Sequence, residues 1–190
     1  MIHQNKWEHS VQATVLLSGG IDSAAAAVFM LRHGSTVQGL HLSYGQAAQE
    51  QELQAAKAVC SDLGIAMHHL TLRGGRAMKT GELTGRNAFF VFTALLAGEA
   101  TDAIVLGIHS GTPYYDCSSA FIGAMEKIVA EHTDRRVMVA APFIQWTKRD
   151  IFEYFLESRI SPARTYSCEA GTPIPCGACA SCVDRRTLGC

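Results

Sequence analysis

Two short stretches hold most of the chemistry this chain can offer. The first is Ser18-Gly19-Gly20-Ile21-Asp22-Ser23, placed between the apolar run "ATVLL" (13–17) and an alanine-rich segment. Adjacent glycines let a backbone fold tightly and bring its N–H groups close to an anion. A helix starting behind them adds unpaired N–H groups and a partial positive charge. The Ser18 and Ser23 hydroxyls can donate to phosphate oxygens. Asp22 beside a phosphate would repel it unless a cation lies between them, which implies Mg²⁺ there. The plainer reading is a strand-to-helix turn with Asp22 or Ser23 as N-cap. Two other phosphate motifs fail on spacing, since neither G-x-G-x-x-G nor G-x-x-x-x-G-K-[ST] is present.

The second stretch is "SCEAGTPIPCGACASC" (167–182), with the spacing Cys168-x7-Cys176-x2-Cys179-x2-Cys182. Cysteines two residues apart can place both sulfurs on one tetrahedral ion, and the small residues between them allow the tight turns. Four thiolates close the coordination shell and leave no position for catalytic water, so the expected role is a structural Zn²⁺ site. An iron–sulfur cluster is the competing reading, because C-x2-C-x2-C also occurs in ferredoxin-like runs. The presence of one such run, with no other sign of redox work, favours zinc. The chain has seven cysteines in all. Cys60 is expected in the core, Cys117 in the core or a pocket, and Cys190 is a less constrained substitute ligand.

These stretches need a frame, and the apolar pattern supplies one. Strands are predicted over 13–18, 36–44, 65–72, 102–108 and 136–143. Helices are predicted over 22–33, 47–64, 86–100, 118–132 and 148–158. Helix 47–64 should end on Gly64 and bury Leu53, Ala56, Cys60 and Leu63, while helix 118–132 should bury Phe121, Met125, Ile128 and Val129. Residues 73–85 read as a glycine-rich loop. Past Pro162 the periodicity stops. This alternation predicts an α/β fold, a parallel sheet covered by helices on both faces. The expected organisation is one α/β domain over 1–160 and a small four-cysteine, zinc-binding appendage over 161–190.

The totals agree. At 190 residues, 48% hydrophobic and 17% charged, the chain can bury a proper core. A net charge of −1 gives no long-range attraction to nucleic acid. The polar start lacks the apolar centre of a secretory signal, and no apolar run is long enough to span a bilayer. The expectation is a cytoplasmic protein with no membrane partner, and the cysteine cluster in a reducing compartment points to metal.

Ser-Gly-Gly-x-Asp-Ser after the first strand resembles the pyrophosphate loop of the N-type ATP pyrophosphatases, whose fold is Rossmann-like. Together with the Cys-x7-Cys-x2-Cys-x2-Cys tail, it is similar to the 7-cyano-7-deazaguanine synthase (QueC-like) family of queuosine biosynthesis. Tyr44-Gly45-Gln46, Gly85-Arg86-Asn87, Tyr115-Asp116-Cys117 and "PFIQWTKRDI" (142–151) agree in order, so the likeness spans roughly residues 13–186. It implies an ATP-dependent carbon–nitrogen ligase that adenylates a deazaguanine carboxylate, releases pyrophosphate, forms an amide with ammonia and then the nitrile. It implies ATP as substrate, Mg²⁺, a structural Zn²⁺ and a homodimer.

Carried onto this chain, the resemblance gives Asp22 the metal and Ser18, Gly19, Gly20 and Ser23 the pyrophosphate. Arg86 and Lys148 neutralise phosphate charge. Tyr44, Gln46, Asn87, His109, Tyr115 and Asp116 face the acceptor, with Asp116 accepting from a guanine-like edge. Asp116 is otherwise an N-cap for helix 118–132. His109, past a strand end, is a base toward an incoming amine or a structural histidine.

Departures cluster on the acceptor side. Where the family reads Tyr-Gly-Gln-Arg-His, this chain has Ala47 and Ala48 after Gln46. Its Asp-Cys-Arg-Pro-Glu is here Asp116-Cys117-Ser118-Ser119-Ala120, and its Gly-Val-Asn is Gly107-Ile108-His109. Losing Arg and His weakens binding of a carboxylate. Two alternatives therefore stand beside the synthase. One is a divergent paralogue, of the antiphage-defence kind, that stops at the amide or joins the deazapurine to another amine such as a protein. The other is a non-catalytic nucleotide-binding module. A tRNA- or sulfur-transfer enzyme is disfavoured by the charge of −1.

Overall fold

The computed structural model describes residues 10–73, 83–97 and 101–190. Five strands form one sheet: β1 (Gln12–Leu16), β2 (Thr36–Ser43), β3 (Ala66–Thr71), β4 (Ala103–Leu106) and β5 (Met138–Ala140). Their order is β3-β2-β1-β4-β5, and every pairing is parallel. Among the described residues six α-helices accompany them: α1 (Ile21–Arg32), α2 (Gln49–Leu63), α3 (Arg86–Leu96), α4 (Ser119–His132), α5 (Lys148–Leu156) and α6 (Ala180–Leu188).

Strand alternation divides the core between the two faces. Ala13, Val15, Leu17, Ala103 and Val105 point to one face. There they meet Ala24–Ala27 of α1, Ala56 and Val59 of α2, and Ile151, Phe152 and Phe155 of α5. Leu40, Leu42, Ile104 and Leu106 point to the other, against Val91 and Ala94 of α3 and Phe121, Met125 and Val129 of α4. The expected α/β architecture, a parallel sheet with helices on both faces, is the one observed. α1 is mostly alanine because it lies flush on the sheet, with Ala24, Ala25, Ala26 and Ala27 all inaccessible.

Some boundaries and faces differ from expectation. β5 is three residues, shorter than the predicted 136–143, although Phe143 beyond it is fully buried. Ile128 is exposed, because α4 meets the sheet through Phe121, Met125 and Val129 instead. Gly64 ends α2 in the left-handed conformation at φ 65°, as its type suggested. α6 is absent from the sequence pattern: Cys182 is its one buried residue, so it carries no apolar stripe to read. The predicted loop 73–85 and the end of helix 86–100 fall largely outside the described residues. Trp146 packs between Phe143 and Tyr154. Among the described residues no helix is long and apolar enough to cross a membrane.

Candidate active site

In an open parallel sheet, ligands bind beyond the C-terminal strand ends, where the strand order reverses. Here the reversal lies at β1, whose neighbours β2 and β4 run out to opposite edges. The glycine stretch leaves β1 at that point. Gly19 has φ +86°, and a Cβ there would lie 2.5 Å from the Glu52 carbonyl and 2.9 Å from Ala55 Cβ. Only glycine fits between the turn and α2. Gly20 is the N-cap of α1, in extended backbone with no side-chain cap. The alternative of an Asp22 or Ser23 N-cap is therefore not what forms. Ser23 instead turns its hydroxyl back onto the Gly20 carbonyl at 3.0 Å, and Ser18 Oγ lies 3.1 Å from Ser23 Oγ. The first N–H groups of α1 have no side-chain acceptor, the condition for binding an anion.

Asp22 and Lys148 meet across 126 residues, Lys148 Nζ donating to Asp22 Oδ2 at 2.5 Å. Lys148 is held at the first position of α5 by a capping box, in which Thr147 Oγ1 accepts from the Asp150 N–H and Asp150 Oδ2 from the Thr147 N–H. A cation at a helix N-terminus opposes the helix dipole. The uncapped α1 N-terminus and the Lys148 ammonium thus lie together at this corner, with the Asp22 carboxylate between them. Asp22 Oδ1 is buried with no partner. An unpaired carboxylate oxygen facing this corner suits an oxygen-seeking divalent cation.

His109 completes the corner. Burial pushes its imidazole below the usual range and Lys148 adds to this, while Asp22 and, from α6, Asp184 pull the other way. Its Nδ1 accepts from the Gly111 N–H at 3.1 Å. With Nδ1 engaged in this way, the neutral ring has its Nε2–H left to donate.

A second group lies at the α2 and α3 starts. Arg86 is the first residue of α3, and its Nε is buried without a partner. Its guanidinium reaches the Tyr44 hydroxyl and acts on Glu52. Burial pushes the Tyr44 and Glu52 groups up, and Arg86 offsets part of both shifts. Gln46 is occupied by its own loop: its Oε1 accepts from the Tyr44 N–H at 2.9 Å, and its Nε2 donates to Glu52 Oε2 at 2.9 Å and to the Leu42 carbonyl at 3.3 Å. Asn87 donates through its backbone to Asp116 Oδ2 at 3.3 Å and through Nδ2 to the Asp116 carbonyl at 2.9 Å. Asp116 thus caps α3 from another loop, while Ser118 is the N-cap of α4. Cys117 is buried beside Asn87 and Asp116. Tyr115 is 65% exposed, edge-on to Phe121.

The structure therefore brings Ser18, Gly19, Gly20, Asp22, Ser23, His109 and Lys148 into one corner, and Tyr44, Gln46, Arg86, Asn87 and Asp116 into an adjoining group. Glu52 joins the two through its carbonyl at Gly19 and its carboxylate at Gln46. Sequence reasoning missed Glu52, which sits among other polar residues on a helix read for its apolar face.

Cys168, Cys176, Cys179 and Cys182 converge, their Sγ atoms all within 4.8 Å of one another. Cys60 is buried in the core as expected, its thiol pushed up to about 11 by burial.

The family profile described as "Queuosine biosynthesis protein QueC" matches residues 12–86 and 75–188. The chain belongs to the QueC family. Among QueC relatives, it is 34% identical over 203 residues to a 7-cyano-7-deazaguanine synthase of Parasynechococcus marenigrum (strain WH8102), covering 90% of this chain and 88% of the relative. It is equally identical to one of Halobacterium salinarum (strain ATCC 29341 / DSM 671 / R1), with 92% and 89% covered. Two solved structures share this chain's fold. One is the U34-tRNA thiolase NcsA of Methanococcus maripaludis with its [4Fe-4S] cluster, at TM-score 0.61 and 14% identity, over 98% of this chain and 67% of that one. The other is a 4-thiouridine synthetase–RNA complex with bound ATP, at TM-score 0.61 and 18% identity, over 94% and 50%.

Proposed function

We propose that this QueC-family chain is an ATP-dependent ligase that adenylates a 7-carboxy-7-deazaguanine-like carboxylate, releases pyrophosphate, and converts the acid with ammonia to the amide and then the nitrile. The observation that carries this reading is the uncapped start of α1 behind Gly19 and Gly20, with Asp22 and Lys148 across it. Such a corner holds the β- and γ-phosphates while the α-phosphorus is attacked.

The acid's oxygen attacks the α-phosphorus, the bond to the bridging oxygen breaks, and pyrophosphate leaves toward the α1 N–H groups. Lys148 and Arg86 neutralise charge that grows on the leaving group. His109 donates Nε2–H toward the same anion. Ammonia then attacks the acyl carbon, a proton is lost and AMP departs. A second ATP activates the amide oxygen in the same way, and loss of AMP and both amide protons leaves the nitrile. Positioning and charge neutralisation are the protein's work throughout. Asp22 Oδ1 would hold Mg²⁺, which supplies charge neutralisation between carboxylate and phosphate when bound. The proposed acceptor side is Tyr44, Gln46, Asn87, Tyr115 and Asp116, with Gln46 acting through its loop because its amide is already engaged.

Residues 161–190 form the proposed metal-binding appendage beside the α/β domain of 1–160. Zinc suits the cysteines better than a cluster: thiolates on one ion at ~2.3 Å lie roughly 3.8 Å apart. The Cys176 and Cys182 sulfurs are 4.0 Å apart. A four-iron cube spreads its thiolates more widely. A homodimer belongs to the same proposal, and Phe89, Phe92 and Leu96 expose apolar surface on α3 that a second copy would cover.

One observation favours the divergent paralogue as the second reading: Ala47 and Ala48 offer nothing to bind the acid's charge. One experiment separates the readings. Purified protein is given ATP, Mg²⁺ and ammonia, with or without 7-carboxy-7-deazaguanine; pyrophosphate is assayed and products are weighed by mass spectrometry. Acid-dependent pyrophosphate with a nitrile product supports the synthase. An amide or an adduct supports the paralogue. No AMP with any acceptor overturns the enzymatic reading.

A further inference from the structure

The four-cysteine segment does more than close the tail. Tyr166, two residues before Cys168, donates its N–H to the Gly19 carbonyl at 2.9 Å. A Cβ on Gly20 would lie 3.8 Å from the Tyr166 carbonyl and 3.9 Å from Ser167 Oγ. The glycine corner is thus held from two sides, by Glu52 of α2 and by the approach to Cys168. Gly171, three residues past Cys168, has φ +69°, and a Cβ there would lie 2.0 Å from the Ala47 carbonyl. Ala47 and Ala48 lead into α2, so the same segment also presses on the element carrying Glu52. Further bonds brace this strip. Tyr166 Oη donates to the Thr172 carbonyl at 2.7 Å. From α6, Arg185 donates to Thr165 Oγ1 at 2.9 Å and to the Pro162 carbonyl at 2.8 Å. Cys168 lies on the strip, whereas Cys176 and Cys179 lie on the knuckle leading into α6 and Cys182 in its first turn.

We propose that Gly171 and the Tyr166 backbone are positioning groups of the nucleotide corner, and that metal bound by the four cysteines sets how tightly that corner holds ATP. The proposal rests on the ATP reading above. A metal joining Cys168 to the knuckle keeps residues 166–171 against Gly19 and Ala47. Without it, hydrogen bonds alone hold the strip, and the α1 N–H groups lose their fixed aim.

The test is calorimetric titration of the holoprotein with ATP and Mg²⁺ in the absence of acceptor, with metal content read by elemental analysis. Gly171→Ala is expected to keep about one metal ion per chain. Its ATP dissociation constant should rise by about tenfold or more, the worth of one charge-assisted hydrogen bond to phosphate. The KM for ATP should rise with it while the KM for the acceptor stays unchanged. Ile174→Ala, in the same segment but 83% exposed, should bind ATP as the wild type does. Chelator-stripped wild type that remains folded by circular dichroism should weaken like Gly171→Ala and recover on adding Zn²⁺ alone. If stripping unfolds the chain, the Gly171→Ala titration decides. Unchanged ATP affinity in a metal-loaded Gly171→Ala protein overturns the coupling and leaves the nucleotide site standing. A holoprotein that binds no ATP overturns both.

Discussion

Gly107 offers a test of how finely the corner is placed. It follows β4, and its Cα faces the first turn of α1. A Cβ there would lie 2.5 Å from the Asp22 carbonyl oxygen and 2.6 Å from both Asp22 C and Ser23 Cα. All three are backbone atoms in a helix already flush on the sheet, so no side chain can swing aside. In Gly107→Ala the start of α1 has to retreat by almost an ångström to restore ordinary contact. Overpacking of this kind costs about 1–3 kcal/mol. For a chain of this size the midpoint of thermal unfolding should fall by roughly 2–12 °C. The functional loss should be larger in proportion, because misplacing reacting groups by ~1 Å costs on the order of 100-fold. Pyrophosphate release should therefore drop about 100-fold at a temperature where circular dichroism shows the variant folded. Gly123→Ala is the control: it lies inside α4 with nothing within 4 Å of the added atom, and should melt slightly higher with unchanged rate. A Gly107→Ala enzyme as fast as the wild type would mean that the position of Asp22 and the α1 N–H groups does not govern the chemistry.

Asp22→Asn should abolish AMP formation while the far-ultraviolet spectrum is kept; turnover in that variant would remove the metal from Asp22. His109→Leu should slow pyrophosphate release by about 10- to 150-fold, the loss of one donor to a charged group. His109→Asn, which keeps an N–H donor, should retain most of the rate; equal loss in both would point to a base. Glu52 has its carboxyl raised by burial, so the unfolded chain ionises first. Its contribution to stability should decline as pH rises above the unfolded value of 4.5, and Glu52→Gln should remove that decline in denaturant titrations across pH 4–7. Cys179→Ser should lower metal content and melting temperature together, and a metal-free variant melting like the wild type would dismiss a structural ion.

Local spacing determined a good deal of this protein. The strand–helix alternation specified a parallel α/β sandwich, because βαβ crossovers have one favoured hand and bury both sheet faces. Gly19, Gly20 and Asp22 act within one turn, and Cys176, Cys179 and Cys182 within two, so neighbours along the chain are neighbours in space. Tertiary structure alone decided the rest. The order β3-β2-β1-β4-β5 puts the ends of β1, β4 and β5 side by side, and only then can Lys148 reach Asp22 or Gly107 abut α1. Asp116 capping α3, the Glu52 carbonyl abutting Gly19 and Tyr166 holding Gly19 all join residues from 29 to 147 positions apart. No periodicity records such pairs, because each partner alone looks like an ordinary polar residue on a loop or helix start. α6 was hidden for a related reason. A helix anchored by cysteines and hydrogen bonds needs no apolar stripe, and the stripe is what a sequence displays.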